Sequence, residues 1–583
     1  MDTSTVGPIR YTDPEYQQAH NELFLGRPRG PVKHVLPPGV SQKTFEDAIS
    51  QLVATVGAEH IFTSDALSDY IDPYATVHEQ STIPSAAVCP ANAEELRSIL
   101  AVANQYRIPL WTFSRGKNLG YGGPSPRVSG SIALDLHRMN KVLEVNEKFA
   151  YAVVEPGVTF QDLYKECVRQ KLNVWPSTAS LGWGSVIGNT LDRGQGFVPT
   201  ANHFEHVSGM EVMLADGSIV RTGQWAKTNS ASAHLSKFTF GPGIDSLFFQ
   251  SNLGIVIKMG IGLTPAPEAI LSCSFWMPDQ EDIDVITDVF GDLRRRAILP
   301  STYVFNIVEW SSIFGKRHEW WSGSGPIPSW RLKEIQKQLD TGHWTVRFNF
   351  YGPPAINQVQ YDEVVKTVLK RVPGTESRFK SQMFSSSDGG ALEAATVPMP
   401  FGGMFVGVPT LWSLPLVKFV LPKSGGVGAH GAYSTIIPLD GAVMREWVVT
   451  ARKIYEDQGL DAMCDFFMHE KHAVFVCMLV FDKTNPEHCA AIDRIFFKLF
   501  EEGKKRGFSK YRAHVNHMDM VAEQNDFNGF AYRKFVERLK DAVDPNGILS
   551  PGKSGIWPQS YRHLRETTEK VHDAYGFKPA ARL

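Results

Sequence analysis

Ser114 to Gly123, SRGKNLGYGG, puts two basic side chains, four glycines and one tyrosine into ten residues. Glycines let successive backbone N–H groups turn toward one point, and such a nest holds an anion without a helix behind it. Gly547 to Ser554, GILSPGKS, satisfies the phosphate-loop pattern letter for letter. A working phosphate loop needs a strand before it and a helix after it. Here a helical pattern precedes, and Pro558 in the following GIWPQS opposes a helix, so nucleotide hydrolysis is set aside. His469 and His472 in HEKH lie three apart beside a β-patterned run, where such positions face opposite sides of a sheet. Zinc-protease histidines lie four apart on a helix. The stretch STASLGWGSVIGN, Ser177 to Asn189, contains GxGxxxG, but outside the strand-to-helix setting of a dinucleotide fingerprint.

The segments that must position these residues change character along the chain. Ser41 is placed to cap a helix in SQKTFEDAISQLVATVG, where Phe45, Ile49, Leu52 and Val53 fall at helical spacing. IPSAAVCPAN reads as a strand, AEELRSILAVANQY as an amphipathic helix, and IPLWTFS as a strand feeding the glycine-rich stretch. Short β-units continue to about residue 265, and Asp-Gly in LADGSIV marks a hairpin. From about 270, longer helices such as EDIDVITDVFGDLRRRA and YDEVVKTVLKRV alternate with WTVRFNFYG and HAVFVCMLVFD, which reads as a second α+β domain. From about 509 the chain returns to the style of the first domain. The expected segments are 1–268, with the first forty residues as a surface arm, then 269–508, then 509–583.

At 583 residues the chain is too long for one ordinary core. Its 59 basic residues balance 61 acidic ones with no long basic run, which argues against a nucleic-acid or membrane-surface binder and for a small-molecule partner. The six cysteines lie far apart with no CxxC, so neither a zinc ribbon nor a disulfide framework is expected, no metal is expected, and a reduced intracellular compartment fits best. The N-terminus lacks the apolar core of a signal peptide, and no apolar run approaches the ~20 residues of a membrane span. Ala581, Arg582 and Leu583 form the small-basic-leucine pattern of a peroxisomal import tripeptide.

Taken in order, SRGKNLGYGG, VVEPGVTFQDL, SLGWGSVIGN, GMEVMLADG and SNLGIV resemble the FAD-binding domain of the vanillyl-alcohol oxidase and p-cresol methylhydroxylase family of flavoproteins. The likeness runs over about residues 45 to 560, and DAVDPNGILSPGKSGIWP, the family's closing segment, accounts for the phosphate-loop mimic. The resemblance implies an α+β fold, with a two-subdomain FAD-binding domain and an α+β cap domain that shapes the substrate cavity. It implies FAD held at the pyrophosphate by Ser114, Arg115, Gly116, Lys117, Asn118 and Leu119. Ser185, Gly188, Asn189, Gly254, Ile255, Val256, Arg512 and Lys553 would line the rest of the cofactor.

Members of the family that act on 4-alkylphenols bind substrate as phenolate through two tyrosines and an arginine. Tyr121 in GYGG, and Tyr511 and Arg512 in KYRAH, stand at the matching places. A phenol of pKa about 10 ionises more easily beside a guanidinium and two hydroxyl donors. The phenolate then lets hydride leave the benzylic carbon for flavin N5, giving a p-quinone methide. The implied activity is oxidation of para-substituted phenols, such as 4-hydroxybenzylic alcohols and 4-alkyl- or 4-allylphenols, with O2 as acceptor and hydrogen peroxide as product. Peroxide release suits the peroxisomal tripeptide. The resemblance also implies a homodimer or higher homo-oligomer.

The sequence departs from the family at named positions. Ser180 stands where the best-known oxidase has an aspartate near flavin N5, and serine cannot act as a carboxylate base at neutral pH. Water addition would then fall to Asp465 or Glu470 in the cap, or the product would be a dehydrogenated side chain. Ser180 also favours a second reading, a dehydrogenase or hydroxylase that passes electrons to a carrier protein. A family tyrosine appears as Phe197, and Asn118 stands about where a bicovalent subgroup has histidine. Aligning FFMHEKHAVFVCMLVF with the strand of covalent attachment puts Phe475 at the attachment point, so dissociable FAD is expected. A non-catalytic flavin-binding protein is the reading from another class.

Overall fold

The computed structural model describes Gln18 and residues 32–75, 82–399, 401–411 and 413–578. Most of the expected N-terminal arm, and Ala581 to Leu583, lie outside them. The chain divides into two compact units, one of residues 1–196, 200–264 and 513–571, the other of 197–199, 265–512 and 572–583. No helix among the described residues is long and apolar enough to cross a membrane.

The first unit opens with α1 (Gln42–Val56), capped by Ser41, whose side chain accepts the Thr44 N–H. Strands β1 (Ile61–Phe62), β2 (Ala86–Val88), β3 (Leu110–Phe113) and β4 (Ile132–Asp135) form a sheet in the order β1-β2-β4-β3. Helix α2 (Ala93–Tyr106) crosses over between β2 and β3, both parallel to β4, and buries Leu96, Ile99, Leu100 and Ala103 against α1 and the sheet. Each of the larger of these side chains contributes about 1.5–3 kcal/mol. A second, antiparallel sheet has the order β5-β6-β10-β8-β9, from β5 (Val142–Asn146), β6 (Tyr151–Val154), β8 (Val207–Met213), β9 (Ile219–Arg221) and β10 (Ile255–Gly262). The Asp-Gly hairpin joins β8 to β9, with Gly217 at φ +81°. Helices α3 (Phe160–Arg169) and α4 (Val186–Leu191) pack beside this sheet, and the two-residue strands β7 (Val174–Trp175) and β11 (Thr264–Pro265) pair where the chain leaves the unit.

The phosphate-loop mimic has another use. Leu110 donates to the Ile548 carbonyl at 2.7 Å and accepts from the Ser550 N–H at 2.8 Å, so the closing segment lies as an extra edge along β3.

The second unit is built on an eight-stranded sheet ordered β15-β12-β14-β13-β17-β18-β16-β19. The strands are β12 (Ala269–Met277), β13 (Thr302–Asn306), β14 (Trp344–Gly352), β15 (Phe379–Ser385), β16 (Gly428–Pro438), β17 (Met463–Met468), β18 (His472–Asp482) and β19 (Ser509–Lys510). Side chains alternate across a sheet, and directly paired residues share a face. In WTVRFNFYG, Trp344, Val346, Phe348 and Phe350 therefore point one way, and Thr345, Arg347, Asn349 and Tyr351 the other.

The register extends both sets across the sheet. On the apolar face, Val346, Val304, Phe466, Phe475, Thr435 and Lys510 form one row. Helices α5 (Ile283–Arg295), α7 (Pro354–Arg371), α8 (Gly441–Glu456) and α9 (Pro486–Lys505) cover this face, with α6 (Ile307–Ser312) elsewhere. Ring contacts of Phe290 on Phe275 and Phe348, and of Trp447 and Phe496 on Tyr433, join helices to sheet. On the opposite, polar face the rows are Thr345, Phe305, Asp465, Val476, Ser434 and Arg347, Tyr303, Phe467, Val474, Ile436.

HEKH sits in the turn of the β17–β18 hairpin, where His469 N–H donates to the His472 carbonyl at 2.9 Å. The two rings stack with centroids 4.5 Å apart, so the expectation of opposite facing fails because His472 opens β18 while His469 lies in the turn before it. Burial holds His469 down at about 4.

Candidate functional site

In the first unit the glycine-rich stretch leaves the end of β3 and turns at once. Gly116, Gly120, Gly122 and Gly123 all have positive φ, between +55° and +105°. The Asn118 carbonyl accepts both Tyr121 N–H at 3.1 Å and Gly123 N–H at 3.2 Å, which closes the turn on itself. Asn118 Nδ2 donates to Asp192 at 3.2 Å, and Lys553 lies 3.8 Å from the same carboxylate. Lys117 stands 4.9 Å over the Trp183 ring, while Arg115 and Leu119 are buried. Tyr121 is half-buried, and the Val515 N–H donates to its carbonyl at 3.1 Å.

Ser185 caps α4, accepting the Gly188 N–H at 3.0 Å and donating to the Pro156 carbonyl at 2.6 Å. A Cβ on Gly188 would come within 2.4 Å of Ser114 Oγ, so glycine leaves room for that hydroxyl between α4 and the loop. Asn189 Oδ1 meets His203 Nδ1 at 2.8 Å, and His203 Nε2 meets Ser177 Oγ at 2.9 Å, which commits that oxygen to the scaffold. Ile255 and Val256 are buried in the two cores of the unit, and a Cβ on Gly254 would meet Val212 at 2.6 Å. These three have only backbone to offer a ligand. Ser180 lies half-buried in the turn that precedes α4. A turned, glycine-bearing backbone with Arg115, Lys117 and Lys553 around it suits a diphosphate-bearing cofactor.

In the second unit the polar face of the sheet gathers an aromatic box. Phe197, Tyr303, Phe405 and Phe467 have ring centroids 4.7 to 6.1 Å apart, and the Tyr351 hydroxyl donates to the Phe197 and Phe405 carbonyls at 3.2 and 3.0 Å. The Arg347 guanidinium lies 4.3 Å over the Phe405 ring, and burial pulls its pKa down to about 10, which leaves it charged. At the far edge Tyr511 follows β19, its N–H held by the Ser434 carbonyl at 3.3 Å. Arg512 stands 5.2 Å from the Tyr511 ring centroid, and both are half-buried.

Asp465 shares the polar face with a partner that sequence reasoning missed. Asn306 caps α6 through its side chain, accepting the Glu309 N–H at 3.0 Å, and its amide donates to the Ala462 carbonyl at 2.7 Å. That anchor places Glu309 close enough to Asp465 for the two carboxyls to shift one another's titration. Glu309 Oε2 and Asp465 Oδ1 are closed to solvent and accept no hydrogen bond from any described donor. Burial pushes Glu309 well above the usual carboxylate range, with the Asp465 charge adding to it, and raises Asp465 to about 7. One proton between two carboxyls is the state this favours. Glu470 is exposed at the hairpin tip and belongs to no such group.

Phe475 is fully buried on the apolar face, stacked on Phe466 with centroids 5.6 Å apart. Its lack of a nucleophile therefore carries no argument about flavin attachment. His430, half-buried on β16, is on the polar face. Glu309, Arg347 and His430 escaped the sequence reading because nothing local marks them; only strand pairing assigns their side.

Residues 84–223 match the FAD binding domain family, and residues 417–554 match the C-terminal domain of FAD linked oxidases. The chain is 32% identical over 527 residues to the 4-cresol dehydrogenase [hydroxylating] flavoprotein subunit of Pseudomonas putida, covering 90% of this chain and 98% of that one. Its fold is similar to the 4-ethylphenol oxidase from Gulosibacter chungangensis in complex with isoeugenol, with TM-score 0.82, 33% identity, and coverage of 91% and 100%. It is similar also to p-cresol methylhydroxylase with substrate bound, with TM-score 0.80, 30% identity, and coverage of 90% and 99%.

Proposed function

Since the chain belongs to the p-cresol methylhydroxylase and vanillyl-alcohol oxidase family of FAD-linked oxidoreductases, we propose that it oxidises para-substituted phenols at the benzylic carbon with oxygen as electron acceptor. Bound FAD supplies the acceptor for the benzylic hydride and hands the electrons on. Ser114 to Leu119, Ser185, Gly188 and Lys553 would hold it, through backbone N–H groups and the cationic side chains of Arg115, Lys117 and Lys553.

The protein's own part begins with the phenol oxygen. Arg512 offers fixed positive charge, and Tyr121 and Tyr511 offer hydroxyl donors, so substrate is held as phenolate. Ionisation raises electron density at the para position, and the benzylic carbon then gives up hydride with formation of a p-quinone methide. Water addition to that species gives an alcohol; proton loss from a longer side chain gives an alkene. The aromatic box of Phe197, Tyr303, Phe405 and Phe467 suits the apolar substituent.

The observation that carries this reading is Arg512 beside Tyr511 at the edge of the sheet's polar face. The test is hydrogen peroxide formation from 4-ethylphenol under air, compared with turnover in the presence of an acceptor dye. Turnover with dye alone would favour the second reading, a dehydrogenase passing electrons to a carrier protein, which Ser180 and the 32% identity to a 4-cresol dehydrogenase support. Flavin that no phenol reduces anaerobically would overturn both.

A further inference from the structure

We propose that Cys89, Asp135 and His137 form a binding site for one divalent transition-metal ion, zinc being the best suited, and that the ion braces the strand ends beside the cofactor loop. The site lies within the first unit and is independent of the phenol-oxidation reading. The cysteine spacing gives no sign of it because its ligands come from two strands.

Cys89 directly follows β2, and Asp135 ends β4, its parallel neighbour, with Val88 opposite Leu134 in register. Both therefore stand at the carboxyl ends of parallel strands, where an α/β sheet presents side chains to a ligand. Asp135 Oδ1 accepts the His137 N–H at 3.0 Å, a tight turn that brings the imidazole back over the same carboxyl. Oδ2 is left facing the ring. His137 Nδ1 lies 3.1 Å from it, yet that nitrogen is closed to solvent and has no hydrogen-bond partner among the described residues. Cys89 Sγ completes the group, and one ligand atom from each of the three lies within 4.8 Å of the others. The Tyr70 hydroxyl closes the inner side, 3.6 Å from Cys89 Sγ and 3.5 Å from Asp135 Oδ2.

Thiolate, carboxylate and imidazole are the donors zinc takes, and a tetrahedral ion ~2.1 Å from N and O holds those two atoms roughly 3.4 Å apart. The His137–Asp135 spacing is close to that, so binding asks for little movement. Charge also favours a dication. Cys89 and Asp135 are buried, and two anions there are costly unless a cation joins them. Thiolate, carboxylate and neutral imidazole around a dication sum to zero. The thiol proton leaves to solvent as the sulfur–metal bond forms, and water takes the fourth position. Calcium and magnesium prefer all-oxygen sites, so sulfur and nitrogen select against them. The Arg138 guanidinium beside the site donates to the Cys89 carbonyl at 2.6 Å and pairs with Glu95 at 3.5 Å, which offsets its charge. A nucleophilic thiol would need room for a substrate, and Cys89 is fully buried; a small ion can enter past His137, whose side chain is 14% exposed. Asp135 pairs in register with Phe113, and Leu136 donates to the Phe113 carbonyl at 3.1 Å. Ser114, the first residue of the cofactor loop, comes next. An ion that ties β2 to β4 stiffens the rim on which that loop is mounted.

The test uses the flavin-loaded enzyme, treated with a chelator and then equilibrated with zinc chloride. After gel filtration, elemental analysis is expected to find about one zinc per chain. Cys89→Ser and His137→Gln are each expected to weaken zinc binding at least about 100-fold. Flavin content, read from the visible spectrum, controls for folding, and the partly exposed position of His137 keeps the test alive if the buried cysteine variant does not fold. Cobalt(II) in place of zinc should give the red d–d absorption of a tetrahedral thiolate site, on the far side of the flavin bands, and Cys89→Ser should lack it. Zinc at about 100 times its Kd should raise the wild-type melting midpoint by about 4 °C and leave both variants where they are. His469→Ala, which dismantles the stacked histidine pair of the second unit, should keep the full zinc content. A wild type that retains no zinc, zinc held equally by wild type and the two site variants, zinc lost in His469→Ala instead, or an unmoved wild-type midpoint overturns the proposal.

Discussion

Asp465 and Phe475 lie on paired strands one register step apart, and that single step points them to opposite faces of the sheet. Phe475 stacks on Phe466 in the apolar layer, whereas Asp465 meets Glu309 on the polar side. A covalent flavin bond requires a nucleophile on a face a ligand can reach.

Introducing an imidazole at Phe475 is therefore expected to leave the flavin's attachment unchanged and to lower stability, by about 3 kcal/mol or more, because it buries a polar ring among aromatics. Acid precipitation of wild type and Phe475→His reads this out: the colour of the two pellets should match. Yellow gained only by Phe475→His would contradict the face assignment.

The phenolate clamp makes a separate prediction. Arg512→Ala is expected to lower kcat/KM for 4-ethylphenol about 10²- to 10³-fold, as loss of a fixed charge at a developing anion does. Tyr121→Phe removes one hydrogen bond to a charged oxygen, ~1.5–3 kcal/mol, and should cost roughly tenfold to a hundredfold. A 4-alkoxy analogue, which has no ionisable oxygen, should not be turned over by wild type or by either variant. Intact turnover of the phenol in both would end the phenolate model.

Gly188 offers a test of the cofactor cradle alone. Its missing Cβ would sit 2.4 Å from Ser114 Oγ, so Gly188→Ala must displace that hydroxyl from its place between the loop and α4. The purified variant is expected to carry less than about half the FAD of wild type, measured as flavin absorbance against protein absorbance. Full flavin loading would mean that the loop adjusts without losing its grip.

The carboxyl pair also leaves a signature in stability. Asp465 has its folded pKa raised from the ordinary carboxylate range to about 7, so the folded state binds more protons than the unfolded chain between about pH 4 and 7. Its contribution is most favourable below that range and is lost as pH rises through it. Asp465→Asn is expected to be more stable than wild type at pH 8, by an amount on the order of 2 kcal/mol, and to converge with it near pH 4. Thermal melts at the two pH values check this; equal differences at both would show that the carboxyl is not held protonated.

Much of the fold was legible because local chemistry spelled it out. Ser41 before a 3.6-period run, Asp-Gly between apolar runs, and the period of two in WTVRFNFYG each act within a few residues. The glycine nest was legible for the same reason, since positive φ at Gly116, Gly120, Gly122 and Gly123 is a property of the residue type. The polar face was not. Glu309 meets Asp465 across 156 residues of chain, and Arg347 reaches Phe405 across 58, through pairings that only the closed sheet defines. Phe475 illustrates the converse: a shift of one residue along a strand is a change of face.

The two-faced sheet also bears on how this enzyme could be altered. Residues that pack the fold and residues that meet the polar face alternate along β13, β14, β16, β17 and β18. A combinatorial library confined to Arg347, Tyr303, Phe467, Val476 and Ser434 would diversify one surface and leave the side packed by α5, α7, α8 and α9 untouched. Stability and selectivity are thus carried by interleaved positions of the same strands, and each is open to change without rewriting the other.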